Sequence, residues 1–170
     1  KTGTYGENFT WSLDVGTRTL TLDGTGAMPD YSPEYISIGR LIANIRFAEG
    51  SSVTEIKSSA FDGIYRANIV IPATVEKIEN SSVFSECEFN SVTVEDENKV
   101  FFTVDGVLYE RTEDGIALIY FPTKKTGEFT VPENVTAIAD DAFSYSNLER
   151  IIIPENVTAI ADDAFSYSNL

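Results

Sequence analysis

The seventeen residues PENVTAIADDAFSYSNL occur twice without a difference, at 132–148 and again at 154–170. Pro132 and Pro154 are 22 residues apart, so the unit is LERIIIPENVTAIADDAFSYSN, residues 148–169. Its apolar skeleton reads Leu-x-x-Ile-x-Ile-Pro-x-x-Val-x-x-Ile-x-x-x-Ala-Phe. A unit this short cannot bury its apolar side alone. Self-similarity at such a period therefore predicts a solenoid, in which each unit packs on its neighbours and shares one continuous core.

Degraded copies lie upstream. Ile69, Ile71, Pro72, Val75, Ile78, Val83 and Phe84 keep the skeleton with one extra residue before Val83. Ile42, Ile45, Phe47, Val53, Ile56, Ala60 and Phe61 keep it with a longer loop and no proline. Phe89, Val92 and Val94 begin a further copy that then departs from the pattern. Within a unit, alternate strand residues point to one side, so Ile151 and Ile153 are expected inward and Ile152 outward. Proline, lacking an amide hydrogen, ends the strand. Val157, Ile160, Ala164 and Phe165 then carry the chain back across a second face.

Two stretches stand outside the period. Residues 1–35 are expected to form an N-terminal β cap: Phe9, Trp11 and Leu13 alternate with polar residues, a turn follows at 14–17, and Leu20 and Leu22 alternate again. Gly24-Thr25-Gly26 is read as a turn, because no strand–helix frame with a third glycine makes it a phosphate loop. The array then occupies 36–170, with residues 32–40 the hardest to assign. At about 97–126 it is interrupted by an expected three-stranded meander. Asp105-Gly106 there is a type I′ hairpin signal, and Glu113-Asp114-Gly115 marks a second turn. The strand positions Val92 and Phe129 are accordingly 37 residues apart instead of 22.

Composition excludes several functions. With 12 basic and 27 acidic residues the net charge is −15, which argues against nucleic acid or anionic membrane as partner. No apolar run approaches the roughly 20 residues that span a bilayer, so membrane insertion is not expected. There is no histidine, which removes Ser-His-Asp and Cys-His catalysis and histidine-ligated zinc. The single cysteine, Cys87, sits three residues after Phe84, in the slot filled by Ser146, Ser168 and Ile64 in other units. A slot that accepts Cys, Ser or Ile is a packing slot.

Paired carboxylates remain. Asp140-Asp141 and Asp162-Asp163 share one register position in successive units and should stack about 5 Å apart. They suit the caps of short turns. A hard cation such as Ca²⁺ would relieve their repulsion, which makes the four candidate calcium ligands, although no EF-hand or nonapeptide pattern accompanies them. No other cofactor is indicated.

IIIPENVTAIADDAF, IVIPATVEKIENSSVF and FTVPENVTAIADDAF resemble the BspA-like branch of the leucine-rich repeats. GTYGENFTWSLDVGTRTLTLDGTGAMPDY resembles the β segment that precedes such arrays, and FFTVDGVLYERTEDGIALIYFP a hairpin excursion between their repeats. The resemblance covers nearly the whole chain. It implies a mainly β, right-handed leucine-rich-repeat solenoid with short helical turns and repeats of roughly 22–24 residues. It further implies a bacterial cell-surface or secreted protein, non-enzymatic, that binds an extracellular protein or glycan as an adhesin does. On this geometry the middle residue of each strand, Arg46, Val70, Thr93, Thr130 and Ile152, faces the concave surface and forms the expected binding ladder. Asn44, Asn68, Ser91, Glu128 and Arg150 form its polar rim. A structural spacer carrying another module is the alternative function. A carbohydrate-active enzyme is a distant third, requiring two non-repeat carboxylates in one cleft. A start at Lys1 is read as a mature or trimmed product, and a stop at Leu170, the first position of a further unit, as a piece of a longer array. The sequence does not indicate an oligomeric state.

Overall fold

The computed structural model describes residues 1–31, 34–80, 82–85 and 87–170. β1 (Thr2–Thr4), β2 (Phe9–Asp14) and β3 (Thr19–Ala27) are antiparallel neighbours in that order. Alternation decides the faces: Phe9, Trp11 and Leu13 are buried while Thr10, Ser12 and Asp14 are exposed. The turn between β2 and β3 is closed by Asp14 Oδ1, which accepts the amides of Gly16 at 2.8 Å and Thr17 at 3.3 Å.

The remaining strands follow as β4 (Asn44–Phe47), β5 (Ser52–Ile56), β6 (Asn68–Ile71), β7 (Lys77–Ile78), β8 (Ser91–Val94), β9 (Phe101–Val104), β10 (Val107–Thr112), β11 (Gly115–Tyr120), β12 (Thr126–Thr130), β13 (Val135–Ile138), β14 (Asn147–Ile152) and β15 (Ala159–Ile160). A single helical turn, α1 (Ser82–Ser85), and a 3₁₀ helix, Glu34–Leu41, complete the described elements. The molecule is the expected mainly β solenoid, wound as two parallel ladders. The first ladder runs β3-β4-β6-β8 and later β12-β14; the second runs β3-β5-β7 and later β11-β13-β15.

β3 belongs to both ladders. Thr19–Leu22 pairs with β4 and Thr25–Ala27 with β5, both in parallel. Gly24-Thr25-Gly26 is thus not a turn but the bend of one strand crossing between ladders. A Cβ at Gly24 would lie 2.3 Å from Phe9 Cδ1, and Gly26 has φ +80°, so the bend needs both glycines. The 3₁₀ helix spans residues 35 and 36, where the cap was expected to give way to the array. Its Tyr35 is fully buried, edge-on to Tyr5 and Trp11 with both centroids at 5.8 Å, and its hydroxyl donates to Ala60 O at 2.7 Å. Of the hard-to-assign stretch, Ser32 and Pro33 lie outside the described residues.

The meander has the expected strands and turns. Asp105 and Gly106 have φ of 50° and 80°, as a type I′ turn requires. It is not an excursion from the array, however. β9 follows β8 after six residues, in the place where β5 follows β4 after four and β7 follows β6 after five, and β11 pairs in parallel with β13. The meander is therefore the second-ladder strand of one coil, widened to three.

Widening one ladder and not the other leaves a seam. In the first ladder strand pairing stops at β8 and resumes at β12; in the second it stops at β7 and resumes at the β9-β10-β11 sheet. The buried apolar residues form a large cluster, which reaches across the seam to Phe101, Leu108, Ile119 and Tyr120, and a smaller one centred on Phe121, Val135, Phe143 and Leu148. Side chains span the seam. Tyr120 packs on Phe84 at 5.6 Å and its hydroxyl donates to Phe89 O at 3.3 Å. Within the C-terminal coils the repeated phenylalanines form a stack, Phe121–Phe143 and Phe143–Phe165 each at 5.1 Å. Each fully buried ring contributes on the order of 2–3 kcal/mol. Cys87 is buried with Sγ 3.2 Å from Phe61 O, a packing position as its register indicates. Ile153, expected inward, is 37% exposed just beyond the end of β14.

Candidate functional site: the outward face of the first ladder

Parallel pairing in register sets one exposed side chain above another. In the first ladder Thr21 pairs with Arg46 and Val70 with Thr93, while Asn44–Asn68 and Ile45–Ile69 carry the register from β4 to β6. Arg46, Val70 and Thr93 are exposed and stand in one row across three adjacent strands. Thr130 and Ile152 are likewise exposed and paired, but in the separate β12-β14 sheet. The five-residue ladder expected from the sequence is therefore two rows, three and two residues long, divided by the seam.

The rim is ordered by side-chain amides. Asn68 Nδ2 donates to Asn44 Oδ1 at 2.9 Å, and Ser91 Oγ to Asn68 Oδ1 at 3.1 Å. Beyond the seam Arg150 bonds Glu128 at 2.9 Å.

Sequence reasoning missed how far the face extends. Sheet pairing continues the row onto the N-terminal strands, where Thr2, Thr4, Thr10, Ser12, Thr21 and Asp23 share the outward side. A depression of about 540 Å³ opens among these residues, and a second of about 320 Å³ lies between Asp14, Thr19, Thr21 and Arg46. Arg46 Nε donates to Thr21 Oγ1 at 3.0 Å, so the guanidinium is held over the sheet at the meeting point of the two depressions. The amides of Thr17 and Gly16 hold the Asp14 carboxyl below its ordinary pKa, so it is ionised there at neutral pH. The signal was present in FTWSLD. Its polar positions alternate onto the same side as Arg46 once β3 is recognised as the array's first strand. The site can offer hydroxyls, two carboxylates and one guanidinium on a rigid backbone, a set suited to hydrogen bonding a polar macromolecule.

The four aspartates sit at the turns after the second ladder. Asp141 and Asp163 both have φ 54°, and their Oδ1 atoms accept the hydroxyls of Ser144 at 2.6 Å and Ser166 at 2.7 Å. These carboxylates close their own turns, accepting a hydroxyl where a backbone amide was expected. Asp140 is raised above its ordinary pKa by burial and by the charges of Asp141, Asp163 and Asp162. Among the described residues no group of three or more acidic, cysteine or histidine side chains is arranged to hold a metal ion, so the geometry lends the calcium expectation no support.

A cleft of about 270 Å³ opens at the seam, with Ile78, Phe101, Ile119 and Ala139 as apolar walls and Glu79, Glu110 and Asp140 among its polar groups. Glu79 is committed to the fold: it accepts the Ser58 amide at 3.0 Å and pairs with Lys57 at 3.4 Å, and its pKa is lowered by these bonds. Burial raises Glu110. Glu79 is therefore a structural carboxylate, and Glu110 and Asp140 are the other two acidic groups of the cleft.

Two parallel ladders, an aromatic stack and a periodic apolar skeleton define a β-solenoid of the leucine-rich-repeat class. The family model of the BspA type leucine rich repeat region matches in six copies, over residues 39–103 and 116–170. The chain belongs to that family. The unmatched residues 104–115 fall within the meander, from the last residue of β9 to the first of β11, in agreement with its place inside one coil. No curated protein matches the chain. Among solved structures it is similar to a leucine-rich repeat protein from Eubacterium ventriosum, 22% identical with a TM-score of 0.53 over 98% of this chain and 63% of that one. It is also similar to a leucine rich cell surface protein from Faecalibacterium prausnitzii, 16% identical with a TM-score of 0.51 over 97% of this chain and 73% of that one. The chain thus spans somewhat less than two thirds of the first of these structures. Among the described residues no helix is long and apolar enough to cross a membrane.

Proposed function

We propose that this chain is a non-enzymatic binding module of a bacterial surface or secreted protein, and that it engages an extracellular protein or glycan through the outward face of the first ladder. The observation that carries this reading is the continuity of that face over six paired strands, β1-β2-β3-β4-β6-β8, with two depressions meeting at Thr21. A solvated sheet face needs no depressions, and an ionised Asp14 and a fixed Arg46 beside them supply the polar groups that orient a ligand. That the similar Faecalibacterium protein is a leucine rich cell surface protein supports this location.

The test is binding of the purified chain to a panel of extracellular-matrix proteins and glycans at physiological salt, with and without millimolar Ca²⁺. Saturable binding that Arg46→Glu and Val70→Glu each weaken about tenfold supports the reading. Binding indifferent to both substitutions removes it.

A further inference from the structure

A left-handed backbone turn recurs ahead of the first-ladder strands. Arg66, Glu88, Tyr145 and Tyr167 have φ between 45° and 59°, and each stands two residues before an asparagine, Asn68, Asn90, Asn147 or Asn169. Glycine or asparagine fits such a turn without strain, and a bulky residue there costs roughly 1 kcal/mol or more. In two coils the turn holds Arg66 and Glu88, joined by an exposed ion pair at 3.5 Å. In the last two it holds tyrosines whose rings stack 5.1 Å apart at 10°. That stacking returns about 0.5–1.5 kcal/mol. Yet the rings stay 44% and 79% exposed, so the core gains little from them.

The tyrosines border a groove of about 250 Å³ shared with Glu88, Thr123, Asn147 and Asn169. Its amides are already oriented: Asn169 Nδ2 donates to Asn147 Oδ1 at 2.8 Å, and Asn147 Nδ2 to Thr123 O at 2.7 Å. Among the described residues Glu88 is the one charged residue of its lining, and beyond Lys124 and Lys125 the C-terminal coils are acidic. Residues 126–170 contain eight acidic residues and one basic residue, Arg150, which is bonded to Glu128 at 2.9 Å. Lys124, next to Thr123, directs its ammonium to Asn90 Oδ1. A field of this sign repels anions and concentrates cations.

We infer that this turn edge is a second binding surface, a groove for an extended lysine- or arginine-bearing segment of a partner protein whose cationic side chain seats against the Tyr145 and Tyr167 rings. The ring quadrupole attracts the cation, the acidic coils beside the groove concentrate it, and the asparagine amides meet the peptide backbone. A neutral oligosaccharide could use the rings and amides but would gain nothing from the acidic surroundings. This surface is separate from the first-ladder face and does not depend on it.

Fluorescence anisotropy of a labelled decapeptide alternating lysine and glycine tests the inference, with a glutamate–glycine decapeptide and chito- and cello-oligosaccharides as competitors. The lysine peptide is expected to bind saturably. Tyr145→Ala/Tyr167→Ala should weaken it about tenfold, and Tyr145→Phe/Tyr167→Phe should leave it within about twofold, because the rings remain. Circular dichroism checks the fold, and Tyr167→Ala alone, at the more exposed ring, should still weaken binding if the double variant fails to fold. Unchanged affinity in the folded alanine variants would reduce the binding to diffuse attraction by an acidic chain and overturn the inference. Displacement by an oligosaccharide in place of the lysine peptide would overturn it as well.

Discussion

Asn98 Nδ2 donates to the carbonyl oxygen of Pro72 at 2.9 Å, fastening the loop before β9 to the turn that ends β6 one coil earlier. The same amide reaches Val75 O at 3.0 Å, while Oδ1 accepts the amides of Val100 at 2.9 Å and Phe101 at 2.7 Å. Four bonds from one buried side chain hold the meander's entry at the place where strand pairing between coils lapses. Asn98→Ala would leave two carbonyls and two amides without these partners. It is expected to lower stability by about 2–4 kcal/mol in urea or guanidinium unfolding. A loss below about 1 kcal/mol would mean that the seam is held elsewhere.

Gly24→Ala tests the strand that crosses between ladders. The added Cβ would meet Phe9 and also the Asn8 carbonyl oxygen, at 2.7 Å, on a backbone paired with Phe9 and bonded through both its amide and its carbonyl to Ser51 Oγ. A fall in Tm of several degrees is expected, in line with about 1–3 kcal/mol for overpacking in a chain of this size. Gly50→Ala, with nothing within 4 Å of its Cβ, separates the close approach at Gly24 from left-handed φ strain alone.

The acid limb of stability should depend on the Glu55–Lys57–Glu79–Lys77 network. Bonds from Lys77 and Lys57 lower Glu55, and the Ser58 amide with Lys57 lowers Glu79. Groups depressed in the fold stabilise it above their unfolded pKa, roughly 4.3 for glutamate, and that contribution is lost as pH falls through the folded values. Lys57→Met should therefore lower Tm at pH 7 and leave it closer to wild type at pH 3. A loss equal at both pH values would contradict the network.

Glu110 has the opposite sign. Burial raises its pKa, so its share of stability is full below the unfolded value near 4.3 and is lost as pH rises through the folded one. Glu110→Gln should raise Tm by about 1–2 °C at pH 7.5 and by less at pH 4. A decrease at pH 7.5 would show that the carboxylate has a partner in the seam cleft.

The repeat skeleton made the solenoid legible because its signal is written several times. Ile45, Ile69, Val92 and Ile151 repeat one position, and the exposed residue beside each could be placed from that alone. Alternation in FTWSLD likewise gave the burial of β2. What could not be read was how β3 divides between two ladders. Glycines in GTG signal a turn locally, and only the Phe9 ring behind Gly24 shows that they permit a bend inside a strand. The meander was found from Asp105-Gly106, but its place in the array depends on β11 pairing with β13, a contact with no local signature. For the same reason the split between Thr93 and Thr130, and the extension of the face to Thr10 and Thr21, emerged only from sheet pairing.

The most direct measurement is a methyl-resolved NMR titration of the chain with the tightest ligand from the matrix and glycan panel. Binding through the first-ladder face predicts shifts concentrated at the methyls of Thr21, Val70 and Thr93, with Ile160 in the second ladder unmoved. Shifts centred on Ile160 and its neighbours, with Thr21 and Val70 unchanged, would contradict the account.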